Sequence, residues 1–253
     1  MSSEHPGQGA HAGSARRIMV AGVGGGIGGA CAARLRHEGH AVVGVDRDGR
    51  GSVAPDLTAD LTAPGVAEEA VGAAEERLGG LDGLVHAIGM SGRRLGDGPV
   101  TACTDTGWHE VLRVNLESAF RLLRAGLPVL RGGEEGAAVL IGSTLASSTD
   151  SDFLTAAYAA SKGGLVALAR VAAREVAADG VRVNVVAPGL VRTPMAERAA
   201  SDPHIQERLR DLQPLAGEML APEDVAEAVA WLLSPASRQI TGTVVPVDGG
   251  WWL

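Results

Sequence analysis

The chain has 253 residues, 45% of them hydrophobic and 21% charged, which is enough to bury a sizeable core and too apolar for a disordered polymer. A formal charge of −8 sets an acidic surface against phosphate backbones and anionic lipids, and so excludes the usual nucleic-acid and membrane-surface partners. Aromatic residues make up only 3%, so the core must come from Val, Leu, Ile and Ala.

Residues 1–15 are polar and Gly-rich and lack the apolar stretch of a secretory signal, so they are expected to form a tail before one domain over 16–253. Short apolar runs then alternate with helical patterns. Strands are expected at 18–21, 41–45, 84–88, 137–141, 181–186 and 244–247. Helices are expected at 27–37, 65–78, 106–130 (with a bend), 156–178 and 222–233. Glu68 and Glu69 near the start of the second helix and Arg77 near its end suit the helix dipole. The segment 192–220 is irregular, rich in Pro and charge, and reads as a lid. Strands alternating with helices imply parallel pairing with right-handed crossovers, and uniformly apolar strands imply a sheet covered on both faces. The fold class is therefore α/β, a single-domain doubly wound parallel sheet (a Rossmann fold). No apolar run approaches the roughly 18 residues of a membrane span. Cys31 and Cys103 show no metal or redox spacing, so no metal site is expected. Free thiols fit a reducing cytoplasm.

The first strand runs into Gly22-Val-Gly-Gly-Gly26-Ile-Gly28 and then a helix. In that context Gly22 serves a tight turn and Gly26 lets backbone approach a pyrophosphate. Gly28 permits close helix–strand packing, with Ile27 alongside at the open helix end. Asp46 ends the second strand, where a carboxylate accepts hydrogen bonds from both ribose hydroxyls of NAD and repels the extra phosphate of NADP. Arg47 beside it keeps NADP possible.

These motifs and those that follow resemble the short-chain dehydrogenase/reductase family. The strongest match is Tyr158-Ala-Ala-Ser-Lys162, two residues on one helix face. The resemblance implies that Tyr158 is the general acid or base. Lys162 would lower its pKa from about 10, directly and through the cofactor ribose. It also implies that Ser143, with Thr144 as the open alternative, stabilises the reacting oxygen. Asn115, a poor helix-interior residue, matches the family's fourth catalytic position, a water-mediated proton relay. Asp60 and Leu61 match the pair beside the adenine. Gly89, Pro188, Gly189 and Thr193 match segments along the nicotinamide half, and Asp248-Gly-Gly250 matches a structural terminal motif. Two departures stand out. The residue before the first glycine is Ala21 rather than Thr, and the usual Asn-Asn-Ala-Gly reads His86-Ala-Ile-Gly89. His86 is expected to replace the first Asn as a hydrogen-bond donor, not to act as a base.

The implied activity is NAD(H)-dependent interconversion of a secondary alcohol and a ketone, both small molecules. The alternatives are an NADPH-dependent ketoreductase acting on a 3-oxoacyl or polyketide-like substrate, and a non-catalytic NAD-binding regulator. An enoyl reductase of the same fold spaces its Tyr and Lys more widely. The resemblance also implies a homodimer or homotetramer. Trp251, Trp252 and Leu253 at the terminus are expected at an interface. Substrate specificity is expected from 92–100, 145–154 and 193–215, with Arg93 and Arg94 read as solvated charges.

Overall fold

The computed structural model describes residues 15–133 and 135–253, so the expected tail lies, but for Ala15, outside the described residues. Apolar runs form seven strands: β1 (Arg17–Ala21), β2 (Ala41–Asp46), β3 (Leu57–Thr58), β4 (Gly83–His86), β5 (Ala137–Ile141), β6 (Arg182–Pro188) and β7 (Val244–Val247). They pair in parallel in the order β3-β2-β1-β4-β5-β6-β7. This is the single doubly wound sheet that the alternation of strand and helix predicts.

The helices are α1 (Gly26–His37), α2 (Val66–Leu78), α3 (Asp105–Leu112), α4 (Ser118–Leu130), α5 (Ala156–Val176), α6 (Glu197–Ala200), α7 (Pro203–Leu212) and α8 (Pro222–Leu233). Successive strand residues point to opposite faces, and the two cores follow that alternation. Met19, Leu84 and Leu140 pack with α2, α4 and α5. Ile18, Val85 and Val139 pack with α1 and α8. The strand order reverses between β1 and β4, so a crevice opens beyond their carboxyl ends.

Several boundaries differ from expectation for local reasons. β4 stops at His86 because the chain leaves the sheet to pass over Gly22. The Ala87 amide donates to Ala21 O at 2.8 Å, and a Cβ on Gly22 would lie 2.7 Å from the Ala87 carbonyl carbon. The bend expected in 106–130 is a π-helical turn, Arg113–Glu117, between α3 and α4. It does not fall at Pro128, which α4 accommodates. Gly65 sits in the left-handed region as the N-cap of α2, and α5 tightens into a 3₁₀ turn before Gly180. The 192–220 segment is more regular than its composition suggests, because Asp202 caps α7 and Pro203 opens it. Among the described residues no helix is long and apolar enough to cross a membrane.

Candidate active site

The glycine loop is shaped by close approaches that side chains would block. Gly22 has φ +89°. A Cβ on Gly28 would fall 2.0 Å from Gly22 O, so α1 can rest on the loop only without one. A Cβ on Gly26 would fall 2.7 Å from Thr193 Cγ2, which places Thr193 over the loop. The N-cap of α1 is Gly25, with no side-chain cap. Its first amides and its dipole face the crevice through bare backbone, a cradle that fits a pyrophosphate. Ile27 packs against the α1–α8 core. Asp46 stands at the loop's edge, accepting the Gly24 amide at 2.9 Å and the Arg47 amide at 2.8 Å. The exposed Arg47 guanidinium turns to Asp48, with Nε 3.4 Å from its carboxylate.

Asp60 is exposed and accepts both the amide and the hydroxyl of Thr62, at 3.0 and 2.6 Å. The Thr62 hydroxyl is the first cause holding its carboxyl below the usual range. The Leu61 side chain, 1% exposed, belongs to the core and leaves only backbone toward the adenine side.

Opposite the loop, α5 carries Tyr158 and Lys162. Lys162 is buried; its Nζ donates to Ile141 O at 2.8 Å and lies 5.8 Å from the Tyr158 ring centroid. Burial pushes the Lys162 amine down to about 8. The expected lowering of the Tyr158 pKa by Lys162 is corrected here. Burial of the phenol is the dominant influence and raises it, and the opposing influence is a hydrogen bond from Ser143. Ser143 and Thr144 differ in their hydroxyl contacts: Ser143 Oγ accepts the Leu145 amide at 3.2 Å. The Thr144 hydroxyl is committed to Pro188 O at 2.8 Å, whereas Ser143 faces Tyr158.

Asn115 lies in the π-helical turn and is fully buried. Its Oδ1 accepts the Met90 amide at 2.8 Å, and its Nδ2 donates to Met90 O and to Ser161 Oγ, at 3.1 and 3.0 Å. Gly89 brings these groups together. A Cβ there would lie 3.5 Å from Lys162 Nζ and 3.6 Å from Asn115 Oδ1. A π-turn at such a place is a common mark of a functional site.

The two departures from the family pattern are neighbours, because Ala21 and His86 are register partners across β1 and β4. The small residue lies beside the large ring. His86 Nε2 is 2.8 Å from Ser118 Oγ, whose single hydrogen goes to Val114 O in the π-turn. His86 is therefore the donor, as expected. Burial pushes its pKa down to about 3, and Lys162 adds to the effect, so the ring is neutral and no base.

Pro188 and Gly189 end β6 at the same edge. A Cβ on Gly189 would fall 2.2 Å from Gln213 Oε1. Gln213 is fully buried, accepts the Leu190 amide and donates to Glu218 O at 2.8 Å, which pins the segment after β6 to the end of α7. No sequence signal marks this residue, since Gln at a helix end reads as surface. α7 is held over the 144–155 loop by Arg208, which binds Asp150 at 2.6 Å and also Asp152. Arg93 is half-buried with Nη2 3.2 Å from Asp152 O, so only Arg94 is the exposed charge expected of both.

The C-terminal residues divide, with Trp251 inside the chain and Trp252 and Leu253 exposed. Trp251 is buried within the chain, edge-on to Phe153 at 5.3 Å, and Trp252 Nε1 donates to Thr144 O at 3.3 Å. Only Leu253 is fully exposed. The most consequential residue missed in the sequence is Asp97. It is 6% exposed, and its carboxylate accepts the amides of Ala157 and Tyr158, both at 3.0 Å.

Comparison with known proteins agrees with this geometry. A family model described as enoyl-(acyl carrier protein) reductase matches residues 22–252. A 3-oxoacyl-(acyl-carrier-protein) reductase of Vibrio cholerae is 32% identical over 93% of this chain and 96% of its own. Levodione reductase of Leifsonia aquatica is 32% identical over 93% of each chain. Among solved structures, levodione reductase superposes with a TM-score of 0.83 at 29% identity, over 93% of this chain and 96% of that one. A short-chain type dehydrogenase/reductase from Mycobacterium ulcerans gives 0.84 at 30%, over 93% and 89%. A nucleotide cradle at the sheet's switch point, a helix carrying Tyr158 and the buried Lys162 opposite it and these relatives lead to one assignment: the chain belongs to the short-chain dehydrogenase/reductase family, oxidoreductases that act on CH–OH groups with a nicotinamide cofactor.

Proposed function

We propose that the protein interconverts a secondary alcohol and a ketone with NAD(H), using Tyr158 as its acid–base group and Ser143, Lys162 and Asn115 around it. The observation that carries this is the convergence of Lys162 and Asn115 on Gly89, with Ser143 on Tyr158, at the edge where the glycine loop opens. Gly22, Gly26, Ile27 and Gly28 would hold the pyrophosphate and Asp46 the ribose. Asp60 and the Leu61 backbone would flank the adenine, and Gly89, Pro188, Gly189 and Thr193 the nicotinamide half. When bound, the nicotinamide supplies the acceptor for the hydride that leaves the carbinol carbon.

The chain's own groups handle the proton. Ser143 Oγ donates to the substrate oxygen and steadies the charge that develops there. The Tyr158 oxygen takes the hydroxyl proton in oxidation and returns it to the ketone oxygen in reduction. Lys162 keeps a cation beneath the ring, and the buried Asn115 holds the Met90 backbone beside it. Asp46 favours NAD and hence alcohol oxidation, and the turn of Arg47 toward Asp48 supports the same choice. The names of the relatives support a second reading, NADPH-dependent reduction of a 3-oxoacyl thioester. Exposed Phe120 on α4 and Val171 on α5 favour a homodimer or homotetramer, and two free cysteines suit the cytoplasm.

The test is titration of the wild type and of Asp46→Ala with NADH and with NADPH, read by quenching of tryptophan fluorescence. The expected result is preference for NADH, narrowed in Asp46→Ala. Preference for NADPH overturns the NAD assignment in favour of the second reading. Binding of neither overturns the cofactor reading altogether.

A further inference from the structure

The first-turn amides of a helix need acceptors from outside it. In α5 these include the amide of Tyr158 itself. Thr155, the N-cap residue, provides no cap, because its hydroxyl is turned to Phe153 O at 3.2 Å. The acceptors come instead from the connection between β4 and α3. Gly98 O accepts the Ala156 amide at 2.8 Å, Asp97 Oδ1 the Ala157 amide at 3.0 Å, and Asp97 Oδ2 the Tyr158 amide at 3.0 Å. Three consecutive amides are thus taken by two consecutive residues.

Asp97 has little freedom to move. Its own amide donates to Gly92 O at 3.1 Å. Glycines are required around it: a Cβ on Gly107 would fall 2.7 Å from Asp97 N, and one on Gly92 3.0 Å from Asp97 Cβ. The same connection passes Gly89, where a Cβ would lie 3.5 Å from Lys162 Nζ and 3.6 Å from Asn115 Oδ1. One loop therefore binds α5 at the amide of Tyr158 and passes beside the amine of Lys162, one turn on.

We propose that Asp97 is a positioning residue for the reaction: by holding the Tyr158 amide from the β4–α3 connection, it fixes where the phenol stands relative to Ser143 and Lys162. A cap needed only for stability could come from position 155, next to the helix. The carboxylate used here comes from 61 residues away and belongs to the loop that also meets Lys162. The proposal rests on the acid–base reading of Tyr158.

Tyr158 is the only tyrosine in the chain, so its ionisation can be read directly from phenolate absorbance without a substrate. The experiment compares wild type, Asp97→Asn, Asp97→Ala, and Asp97→Ala combined with Thr155→Asp, which supplies a local cap. Melting temperature, NADH affinity, Tyr158 titration and kcat on an alcohol turned over by the wild type are measured for each. In Asp97→Asn, NADH affinity is expected to hold while kcat falls on the order of 10- to 100-fold, the cost of a small misplacement. The Tyr158 titration is expected to move to higher pH, because a displaced phenol loses the Ser143 bond that lowers it. The double variant should recover melting temperature but neither kcat nor the titration. Wild-type kcat and titration in Asp97→Asn, with only a lower melting temperature, overturn the proposal. So does full recovery in the double variant, which also carries the test if Asp97→Ala does not fold. A wild type that binds neither nicotinamide overturns the functional reading instead, and the Tyr158 titration still decides the role of Asp97.

Discussion

α1 and α5 both begin at the carboxyl edge of the sheet, and neither is capped by the side chain of its own N-cap residue. At α1 the cap is Gly25, the neighbouring residues are glycines, and no side chain from elsewhere takes the first amides among the described residues. A helix end carries about half a positive charge, and here it is left facing the crevice. At α5 the corresponding amides are filled by Asp97 and Gly98. The first arrangement suits a phosphate that comes and goes. The second suits a side chain that must not move. Whether the chain supplies its own acceptor decides which helix start can serve a ligand and which can serve as a rigid mount.

Ser143→Ala probes the mount and carries the largest expected effect. Loss of a donor to the developing oxyanion should lower kcat by about 10²- to 10³-fold. It also removes a hydrogen bond that lowers the Tyr158 pKa, so the rising, acid-side limb of the kcat–pH profile for alcohol oxidation should move to higher pH. An unchanged limb would mean that the phenol is tuned from elsewhere.

A smaller effect lies in the sheet, where His86 of β4 sits beside Ala21 of β1. The folded chain takes no proton at His86 until about pH 3, whereas an unfolded histidine takes one near 6.5. Stability is therefore fully present above pH 6.5 and is lost as pH falls through that window, by about 1.4 kcal/mol per pH unit. Urea unfolding of His86→Gln across that range should show a flatter acid limb than the wild type. Parallel limbs would place the acid sensitivity in the carboxylates.

The fold was legible because its signals are local. Apolar runs, a Pro at the start of α8 and Gly180 after α5 are read within a few residues, and β5, α8 and β7 fall where the pattern puts them. β3 was not legible, since two residues carry no period. The same contrast runs through the site. Gly22, Gly26, Gly28, Tyr158 and Lys162 announce themselves by spacing, and the π-turn shows as an Asn where helices avoid it. Asp97 and Gln213 act through contacts across 61 and 23 residues, and a lone polar residue between glycines or at a helix end gives no such warning. The Tyr–Lys spacing shows a neighbouring cation but not the burial that outweighs it.

The division of labour between the two helix starts is tested most directly by measuring NADH affinity and kcat side by side for Gly26→Ala and Tyr158→Phe. A methyl at position 26 must displace Thr193, so the first variant should weaken NADH binding by about tenfold or more. Tyr158→Phe should keep wild-type affinity while kcat falls by about 10²- to 10⁴-fold, the range of a lost acid–base group. Turnover by Tyr158→Phe at the wild-type rate would contradict the account at its centre.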